Sequence, residues 1–345
     1  FESLQVNSKK FVVLGTGGTI AGRASQAGDN IGYKAGEVGV DQLLVGIPVP
    51  AGVSLQAEQV AQIDSKDMSH AVWQSLLSRV AHHLAKADVD GILITHGTDT
   101  LEETAIFLQL ALASSGLLSK PVVLTCAMRP ATALVPDGPQ NMQDALAVLQ
   151  NLAIGGTSPA NMPCSCLQVM AVCAGSVHGA MDVQKLHPYR TDAFSSGDSG
   201  PLGFVEEGAV RWVRSTAFNW PSRHIPWTEF AINSIVNTVW PRVDIIMSHA
   251  GVVGRMIDLL LADKDLASGH ALQGLVIAGT GNGTIHESLE AAIGRAQAAG
   301  VDVVRASRCA QGQIVSKAGD GLTDSEGLSP VKARIALQLK LMHRR

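Results

Sequence analysis

The fold is decided by one stretch in the N-terminal half of the chain, Asp90-Gly91-Ile92-Leu93-Ile94-Thr95-His96-Gly97-Thr98-Asp99-Thr100-Leu101-Glu102-Glu103. Its first part is apolar and rich in β-branched residues, which is typical of a strand buried on both faces of a parallel sheet. Thr100 followed by Glu103 has the spacing of a capping box, which predicts that a helix begins here. Thr98 and Asp99 then lie between a strand end and a helix start, where ligands bind in open α/β sheets.

Length and composition narrow the class of protein. The chain has 345 residues, and since domains usually have roughly 100–200 residues, we expect two of them. The formal net charge is only −4, and basic residues form no run. Nucleic acid and membranes are therefore not expected as partners, and no apolar run approaches the ~18 residues of a membrane span.

Neither a metal nor an organic cofactor is predicted. Of the five cysteines, Cys164 and Cys166 are separated by a single residue, which is not the spacing of zinc or redox sites. The Gly-rich turn after Gly15 fails as a dinucleotide fingerprint, because the third glycine is required at position 20, where Ile20 stands. The glycines instead allow the backbone and the Thr16 hydroxyl to approach a small ligand closely.

Alternating strands and helices predict a doubly wound, mainly parallel α/β sheet in a larger N-terminal domain at residues 10–215, after a tail at 1–9. The predicted strands are 10–15, 60–64, 92–94, 121–125 and 167–172, and the predicted helices are 69–87, 104–114 and 138–153. The segment 23–39 is polar, Gly-rich and aperiodic, and a loop of that length is expected to be either disordered or a functional lid.

A linker is expected at 216–240, because this region combines tryptophans and prolines with no clear period. The alternation then resumes in a smaller C-terminal α/β domain at 241–345. Its predicted strands are 243–247, 275–278 and 301–304, and its predicted helices are 288–299 and 330–342, the last with proline in its first turn.

Reactive or recognition groups follow several predicted strands. They are Thr16, Ser65, Thr98 with Asp99, Ala127, and Lys185 after a fifth strand. Because the carboxyl ends of parallel strands face one edge of a sheet, these groups converge on one crevice. A threonine hydroxyl is a poor nucleophile and needs a base, and a buried lysine steered by a carboxylate could serve. Thr98, Lys185 and Asp99 would form one such set, and Thr16 with Tyr33 a second.

Each of these residues also has an ordinary structural explanation. Thr98 and Asp99 alone would more often be helix-capping residues, and Ser65 would more often cap the helix that begins nearby. A single lysine such as Lys185 is usually solvated on the surface. The histidines show no metal-site spacing and are interpreted as structural. It is the joint occurrence of these groups at successive strand ends that favours a functional site.

Two motifs in this order resemble those of the bacterial-type asparaginase family. They are Thr16-Gly17-Gly18-Thr19-Ile20 and His96-Gly97-Thr98-Asp99-Thr100, accompanied by Ala127-Met128-Arg129-Pro130 and Gly200-Pro201-Leu202-Gly203. The resemblance covers nearly the whole chain. It implies a two-domain α/β enzyme that hydrolyses the side-chain amide of L-asparagine to L-aspartate and ammonia, with L-glutamine as a second substrate. It also implies a homotetramer built as a dimer of intimate dimers.

The resemblance implies a role for each site residue. Thr16 is the expected nucleophile with Tyr33 as its lid partner, and the second triad consists of Thr98, Asp99 and Lys185, which either activates water or acts directly on the amide. The expected substrate-binding groups are Ser65, Lys66, Thr98, Asp99, the Ala127 carbonyl, and Thr284 from a partner subunit. Lys66 stands where many members have glutamine or glutamate, so we expect it to turn toward a carboxylate or solvent.

Two other functions stay open beside a free-standing asparaginase. One is a nonenzymatic amino-acid-binding or sensor protein on the same fold. The other is the asparaginase-like subunit of a tRNA-dependent amidotransferase, which would need an extra N-terminal domain, whereas this sequence starts at the first strand. The cysteines that form a disulfide in some secreted members have no match, which favours the cytoplasm; the periplasm is the alternative if a signal peptide was removed.

Overall fold

The computed structural model describes residues 8–113, 115–155, 167–215, 232–263, 271–317 and 319–344. The chain forms two compact units, Phe1–Asn219 and Trp220–Arg345. Because each unit has its own sheet, they are described separately.

The first unit contains twelve of the strands among its described residues. They are β1 (Lys9–Gly17), β2 (Arg23–Ala24), β3 (Tyr33–Lys34), β4 (Val53–Ile63), β5 (Gly91–Thr95), β6 (Val122–Thr125), β7 (Met170–Cys173), β8 (Ser176–Gly179), β9 (Gln184–Lys185), β10 (Phe194–Ser195), β11 (Gly203–Glu206) and β12 (Ala209–Trp212). Its α-helices are α1 (Val40–Leu43), α2 (His70–Leu84), α3 (Leu101–Leu112) and α4 (Gly138–Ala153).

Eight of these strands form one sheet in the order β12-β11-β8-β7-β6-β5-β1-β4. Strands β4, β1, β5, β6 and β7 are parallel to their neighbours, whereas β8, β11 and β12 are added antiparallel at one edge. The predicted α/β class with a mainly parallel N-terminal sheet is therefore confirmed.

The predicted central strand is β5, and every one of its residues is buried. It lies between β1 and β6, and helices cover both faces because the strands are apolar on both sides. One face packs on α4, whose bounds match the prediction and whose Leu146 and Leu149 join Leu93 and Val172 in a buried cluster. On the other face, α2 buries the predicted apolar stripe, including Leu76 and Val80.

The structure departs from the sequence prediction in several local elements. Strand β4 is eleven residues long, from Val53 to Ile63, whereas only 60–64 was predicted. Its half-buried polar residues at the sheet edge hide the strand pattern in the sequence. The predicted lid loop at 23–39 contains the small hairpin β2–β3. Strand β1 begins inside the predicted tail at Lys9, and residues 1–7 lie outside the described part.

The second unit has a four-stranded parallel sheet in the order β13-β14-β15-β16. Its elements are β13 (Arg242–Met247), β14 (Leu272–Gly279), β15 (Asp302–Ser307), β16 (Thr323–Asp324), α5 (Ile232–Val236), α6 (Arg255–Ala262), α7 (Glu287–Ala298) and α8 (Pro330–His343). This confirms a smaller C-terminal α/β unit. Helix α5 lies within the predicted linker, of which residues 216–231 lie outside the described part, and α6 was not predicted.

Candidate active site

Two glycine-containing turns pack directly against each other at the carboxyl edge of the parallel strands. Gly15 on β1 is paired with Thr95 on β5, so the segments that follow leave the sheet side by side. Gly18 has φ 80° and ψ −174°, a conformation that is essentially restricted to glycine. A Cβ atom on Gly18 would lie 2.2 Å from the Cα of Gly97. The absence of both side chains therefore lets the Thr16 and Thr98 segments meet.

The predicted set of Thr98, Asp99 and Lys185 is assembled. The Lys185 Nζ donates to Thr98 Oγ1 at 2.8 Å and to Asp99 Oδ1 at 2.7 Å. Thr98 is buried, and the Lys185 side chain is only 16% exposed, whereas half of the Asp99 side chain is open to solvent. The hydroxyl is thus held by a nearly enclosed ammonium group, while the carboxylate keeps an open face that can bind a cation.

Lys185 reaches this site by a different route from the one predicted. It does not follow a parallel strand, because β8 runs antiparallel to β7. Lys185 instead lies in the short hairpin β9–β10, opposite Phe194. Its backbone N–H donates to Glu102 Oε2 at 3.2 Å in the first turn of α3. The helix that follows Thr98 and Asp99 therefore also positions the backbone of their lysine partner.

Ser65 is built into the same turn. Its Oγ accepts from the Asp99 N–H at 3.2 Å, and its carbonyl accepts from the Thr100 hydroxyl at 2.8 Å. The predicted capping box of Thr100 and Glu103 is therefore wrong in its bonding: Thr100 is the N-cap residue of α3, but its hydroxyl is used by Ser65 and makes no cap hydrogen bond. Ser65 does not cap α2 either, since Ser69 does so.

Thr16 and Tyr33 are not paired as predicted. The Thr16 Oγ1 is buried and donates to the Thr95 carbonyl at 2.9 Å. The Tyr33 hydroxyl is hydrogen-bonded to Thr19 Oγ1 at 2.7 Å. Burial raises the pKa of Tyr33, the bond with Thr19 lowers it, and the charges of Asp64 and Asp99 raise it further. The tyrosine therefore stays a neutral hydrogen-bonding group that faces acidic side chains of the site.

Sequence reasoning missed the role of Thr19. It is the second threonine of the Thr16–Ile20 motif, three residues after Thr16, and its position there was the available signal. The hydroxyl contact is tertiary, since Tyr33 lies in strand β3 of the lid segment.

Ala127 lies at the carboxyl end of β6 and is fully buried. The backbone around it is held on both sides. The Asn141 Nδ2 donates to the Cys126 carbonyl at 2.9 Å, and the carboxylate of Asp137 accepts from the Met128 and Arg129 N–H groups, each at 2.9 Å. These bonds from the start of α4 fix the direction of the Ala127 peptide.

Lys66 and Thr284 make no described contact with Thr98, Asp99 or Lys185. The Lys66 Nζ is ion-paired with Asp67 Oδ2 at 2.5 Å and lies 3.8 Å from Asp64 Oδ2. The hydrogen bond to Asp67 raises the pKa of Lys66, whose side chain is 60% exposed. Thr284 belongs to the second unit, where it follows β14 and donates to the Thr280 carbonyl at 3.0 Å.

A buried hydrogen-bond chain supports the turn beneath Thr98. His96 is fully buried, and its Nδ1 lies 2.7 Å from the Gly97 carbonyl, which can only accept, so Nδ1 carries the proton. Its Nε2 then accepts from the Thr104 hydroxyl at 2.8 Å, and Thr104 accepts from Trp73 Nε1 at 2.9 Å. Burial lowers the pKa of His96 to about 4, although the bond to Gly97 opposes this effect.

Two kinds of feature are absent from the described residues. Across these ranges, His, Cys, Asp and Glu side chains form no group of three or more that could hold a metal ion. Likewise, none of the helices seen in the described segments combines the length and the apolar character required to cross a bilayer.

The chain matches two family models in sequence order. Residues 10–218 match the model described as "Asparaginase, N-terminal", and residues 242–345 match "Glutaminase/Asparaginase C-terminal domain". A "Glutaminase-asparaginase" of Pseudomonas fluorescens biotype A is 34% identical over 337 residues, which cover 96% of this chain and 85% of that protein. A "Probable L-asparaginase periplasmic" of Haemophilus influenzae is 34% identical and aligns with 95% of this chain and 87% of that protein.

A solved structure extends the similarity to the fold. The crystal structure of a "Probable Cytoplasmic L-asparaginase" from Campylobacter jejuni has a TM-score of 0.82 and 34% identity, and the match covers 96% of this chain and 95% of that chain. With both domain models matched over nearly the whole sequence, this chain is a member of the asparaginase family.

Proposed function

We propose that this protein is an L-asparaginase that hydrolyses the side-chain amide of L-asparagine with a threonine nucleophile. The observation that carries the proposal is the position of Lys185 Nζ, within hydrogen-bonding distance of both the Thr98 hydroxyl and the Asp99 carboxylate. In its neutral form, a lysine so placed can take a proton from the Thr98 hydroxyl and return it, which is the help that a hydroxyl needs for acyl transfer. The asparaginases among the relatives support the same reaction.

In this reaction, Thr16 Oγ attacks the amide carbon. The carbon–nitrogen bond breaks, and ammonia leaves with the proton of the Thr16 hydroxyl, relayed through neighbouring groups. Water then cleaves the Thr16 ester, releasing aspartate and restoring the hydroxyl. The Thr98, Lys185 and Asp99 set moves these protons, because Asp99 keeps the lysine in contact with Thr98. Thr16 donates to the Thr95 carbonyl in this structure, so this hydroxyl must turn before it attacks.

A zwitterionic substrate needs two different anchors. Asp99 supplies the anionic one, since half of its side chain is exposed while one oxygen holds Lys185. Ser65, whose Oγ contacts the Asp99 N–H, is the hydroxyl anchor for the α-carboxylate. The Ala127 carbonyl accepts from the leaving amide. Lys66 is ion-paired with Asp67 and its side chain is 60% exposed, so it points toward the substrate's carboxylate or solvent and not toward its ammonium.

Tyr33 closes the site as part of the lid. Its hydroxyl is bound to Thr19, close in sequence to Thr16, so the hairpin β2–β3 is tied to the turn that carries the nucleophile. Enclosing the substrate excludes water from the first step, as lids of hydrolytic and transfer enzymes do.

L-Glutamine is a second substrate in this proposal, with the "Glutaminase-asparaginase" relative as support. The assembly is a homotetramer of intimate dimers, in which Thr284 of one chain completes the site of another. Exposed apolar side chains on α6, Met256 and Leu259, are suited to such contacts. No cofactor takes part. The domain limits proposed from sequence are 10–215 and 241–345, and the cytoplasm is the proposed compartment, with the periplasm as the alternative.

Ammonia release from L-asparagine and L-glutamine, measured side by side over a range of concentrations, tests this function. We expect saturable release from asparagine at a higher kcat/KM than from glutamine. Stoichiometric binding of either amino acid without ammonia release would instead identify an amino-acid-binding protein. Release that requires aminoacylated tRNA would identify an amidotransferase subunit.

A further inference from the structure

Two cysteines stand side by side where neighbouring parallel strands end. The register of β6 and β7 pairs Thr125 with Val172, so Cys126 and Cys173 are the next opposed residues. Neighbouring strands are about 4.8 Å apart, and disulfides join Cα atoms separated by roughly 4.4–6.8 Å. Both side chains are buried free thiols. The two thiols are also hydrogen-bonded to each other, so their positions suit a disulfide without large movement of the sheet.

The side chain of Asn141 holds these two strand ends together. Its Nδ2 donates to the Cys126 carbonyl at 2.9 Å, and its Oδ1 accepts from the N–H of Ala174, the residue after Cys173, also at 2.9 Å. Because Asn141 is buried on α4, this bridge extends the pairing beyond the last regular strand residues. The fold therefore holds the two thiols next to each other.

A histidine makes the two thiols chemically different. Strand β8 pairs His178 with Ala171, which places His178 on the same face of the sheet as Cys173. The His178 Nδ1 is hydrogen-bonded to Ser196 Oγ at 2.8 Å. The bond with Cys126 and that with the His178 imidazole lower the pKa of Cys173, against the opposing effect of burial. The pKa of Cys126 is raised by its bond with Cys173 and by burial.

We propose that Cys126 and Cys173 are a peroxide-sensitive dithiol, with Cys173 as the attacking thiolate and Cys126 as the resolving thiol. The oxidant is hydrogen peroxide or a small hydroperoxide. Cys173 is 4% exposed and precedes the exposed Ala174 of the β7–β8 turn, so the oxidant must be small.

The chemistry proceeds in two balanced steps. The Cys173 thiolate attacks one peroxide oxygen, the O–O bond breaks, and hydroxide leaves and is protonated to water, which leaves a sulfenic acid. The Cys126 sulfur then attacks the Cys173 sulfur, the S–S bond forms, and the hydroxyl leaves as water with the proton of the Cys126 thiol. In sum, two thiols are oxidised and one peroxide is reduced to two waters.

The dithiol lies directly behind the proposed active site. Cys126 precedes Ala127, and the raised pKa of the Cys126 thiol, due first to its bond with Cys173 and to burial, is opposed in part by the charge of Lys185. Forming the S–S bond draws Cys126 toward β7 and so moves the Ala127 peptide. On the basis of the proposed function, oxidation reduces amide hydrolysis, and reduction with dithiothreitol restores it.

The test uses a full-length variant that retains only this pair, Cys164→Ser/Cys166→Ser/Cys309→Ser, treated with hydrogen peroxide. We expect an intact mass lower by about 2 Da, for the two hydrogens lost. Two titratable thiols should disappear, a peptide linking Cys126 to Cys173 should form, and dithiothreitol should reverse all three changes. Non-reducing peptide mapping of the wild-type protein provides the same readout if the variant folds poorly.

Single substitutions in the same background test the order of attack. Cys126→Ser should stop at a sulfenic acid on Cys173 that dimedone traps, whereas Cys173→Ser should leave Cys126 unmodified. His178→Gln should slow oxidation by about tenfold, because an unactivated thiol is only a few per cent ionised at neutral pH.

Three results would overturn the proposal. They are direct sulfinic acid formation on Cys173 while Cys126 is present, no reaction at peroxide levels that oxidise free cysteine, and unchanged amide hydrolysis after complete disulfide formation. If the reduced protein releases no ammonia at all, the proposed function fails, while the mass and mapping results still decide the dithiol.

Discussion

Acidification from pH 7 to pH 4 should destabilise the first unit through His96. Its pKa is about 4 in the folded protein against 6.5 for an ordinary histidine, because the imidazole is fully buried. Between these two values the unfolded chain binds a proton that the folded chain does not, so stability decreases as pH falls. Above pH 6.5 the free energy of unfolding is unaffected by the titration of this group. At about 1.4 kcal/mol per pKa unit, it decreases by roughly 3 kcal/mol between pH 6.5 and pH 4.

The hydrogen bonds of His96 explain why its imidazole resists protonation. Protonation at Nε2 removes the acceptor of the Thr104 hydroxyl, while Nδ1 keeps its bond to Gly97. The Thr104 oxygen would then face donors from both His96 and Trp73, so its own hydrogen needs a new partner. A charged imidazole at this depth is also desolvated without a carboxylate bound to it among the described contacts.

The assay is urea unfolding followed by tryptophan fluorescence at several pH values between 7 and 4, at one protein concentration. His96→Gln removes the titrating group, so its stability should depend less on pH than that of the wild type by roughly 3 kcal/mol over this range. His82→Gln, on the exposed face of α2, is the matched control; the charge of Lys86 also lowers the pKa of His82, but without burial of the side chain, so this variant should stay much closer to the wild type than His96→Gln does. Equal pH dependence of the wild type and His96→Gln would refute the reasoning. Glu58, whose pKa is lowered to about 2 mainly by Arg79, also causes a loss of stability below about pH 4.5, but it does so in all three proteins and therefore cancels in the comparison.

Three further predictions concern the site itself. Gly18→Ala should lower the free energy of unfolding in urea by about 3 kcal/mol or more, because its Cβ would overlap Gly97. Gly116→Ala is the control: its φ is also positive, but it has open space around it, so it should cost about 1 kcal/mol. Lys185→Met should lower kcat about 10²- to 10⁴-fold with circular dichroism unchanged. Lys10→Met, which removes the ion pair with Asp88 near the start of β1, should not, and equal rates would contradict proton transfer by Lys185. Tyr33→Phe should lower kcat/KM up to about tenfold through loss of the Thr19 bond, while the exposed Tyr189→Phe should have no effect, and identical kinetics for the two would argue against a lid role.

The interior parallel strands of the first unit were predictable because burial leaves a direct trace in the sequence, whereas their order in the sheet was not predicted. The apolar residues Ile92–Ile94 and Val122–Leu124 belong to interior strands, and turn residues follow each of them. Helix α4 was predicted with its observed bounds, Gly138–Ala153, since its apolar residues recur at helical spacing and proline stands in its first turn.

The contacts that long-range packing creates were not predictable. Lys185 lies in a two-residue strand, which is too short to leave a pattern, and the reversal of β8 relative to β7 has no periodic signal. The bond between Tyr33 and Thr19 depends on how the hairpin β2–β3 folds back on the turn that precedes it. The hydroxyl of Thr100 matched a capping rule, but the carbonyl of Ser65 competes for it in the folded chain.

The pairing of Cys126 with Cys173 shows the same limit. The two cysteines are far apart in the sequence, and their adjacency follows only from the register of β6 and β7. Counting cysteines indicated buried thiols and no disulfide framework, and this holds for the pair in its reduced form. The histidine beside them comes from a third strand, so no local motif connects the three residues.

The most direct test of the central claim is ammonia release from L-asparagine by Thr16→Ala and Thr98→Ala, compared with Thr191→Ala as a control outside the site. If two threonines at the meeting point of the turns carry the reaction, each of the first two variants should lose at least about 10³-fold in kcat. Circular dichroism and urea unfolding should stay close to the wild type, and Thr191→Ala should keep wild-type kinetics. Wild-type rates in either Thr16→Ala or Thr98→Ala, with the fold intact, would contradict the account.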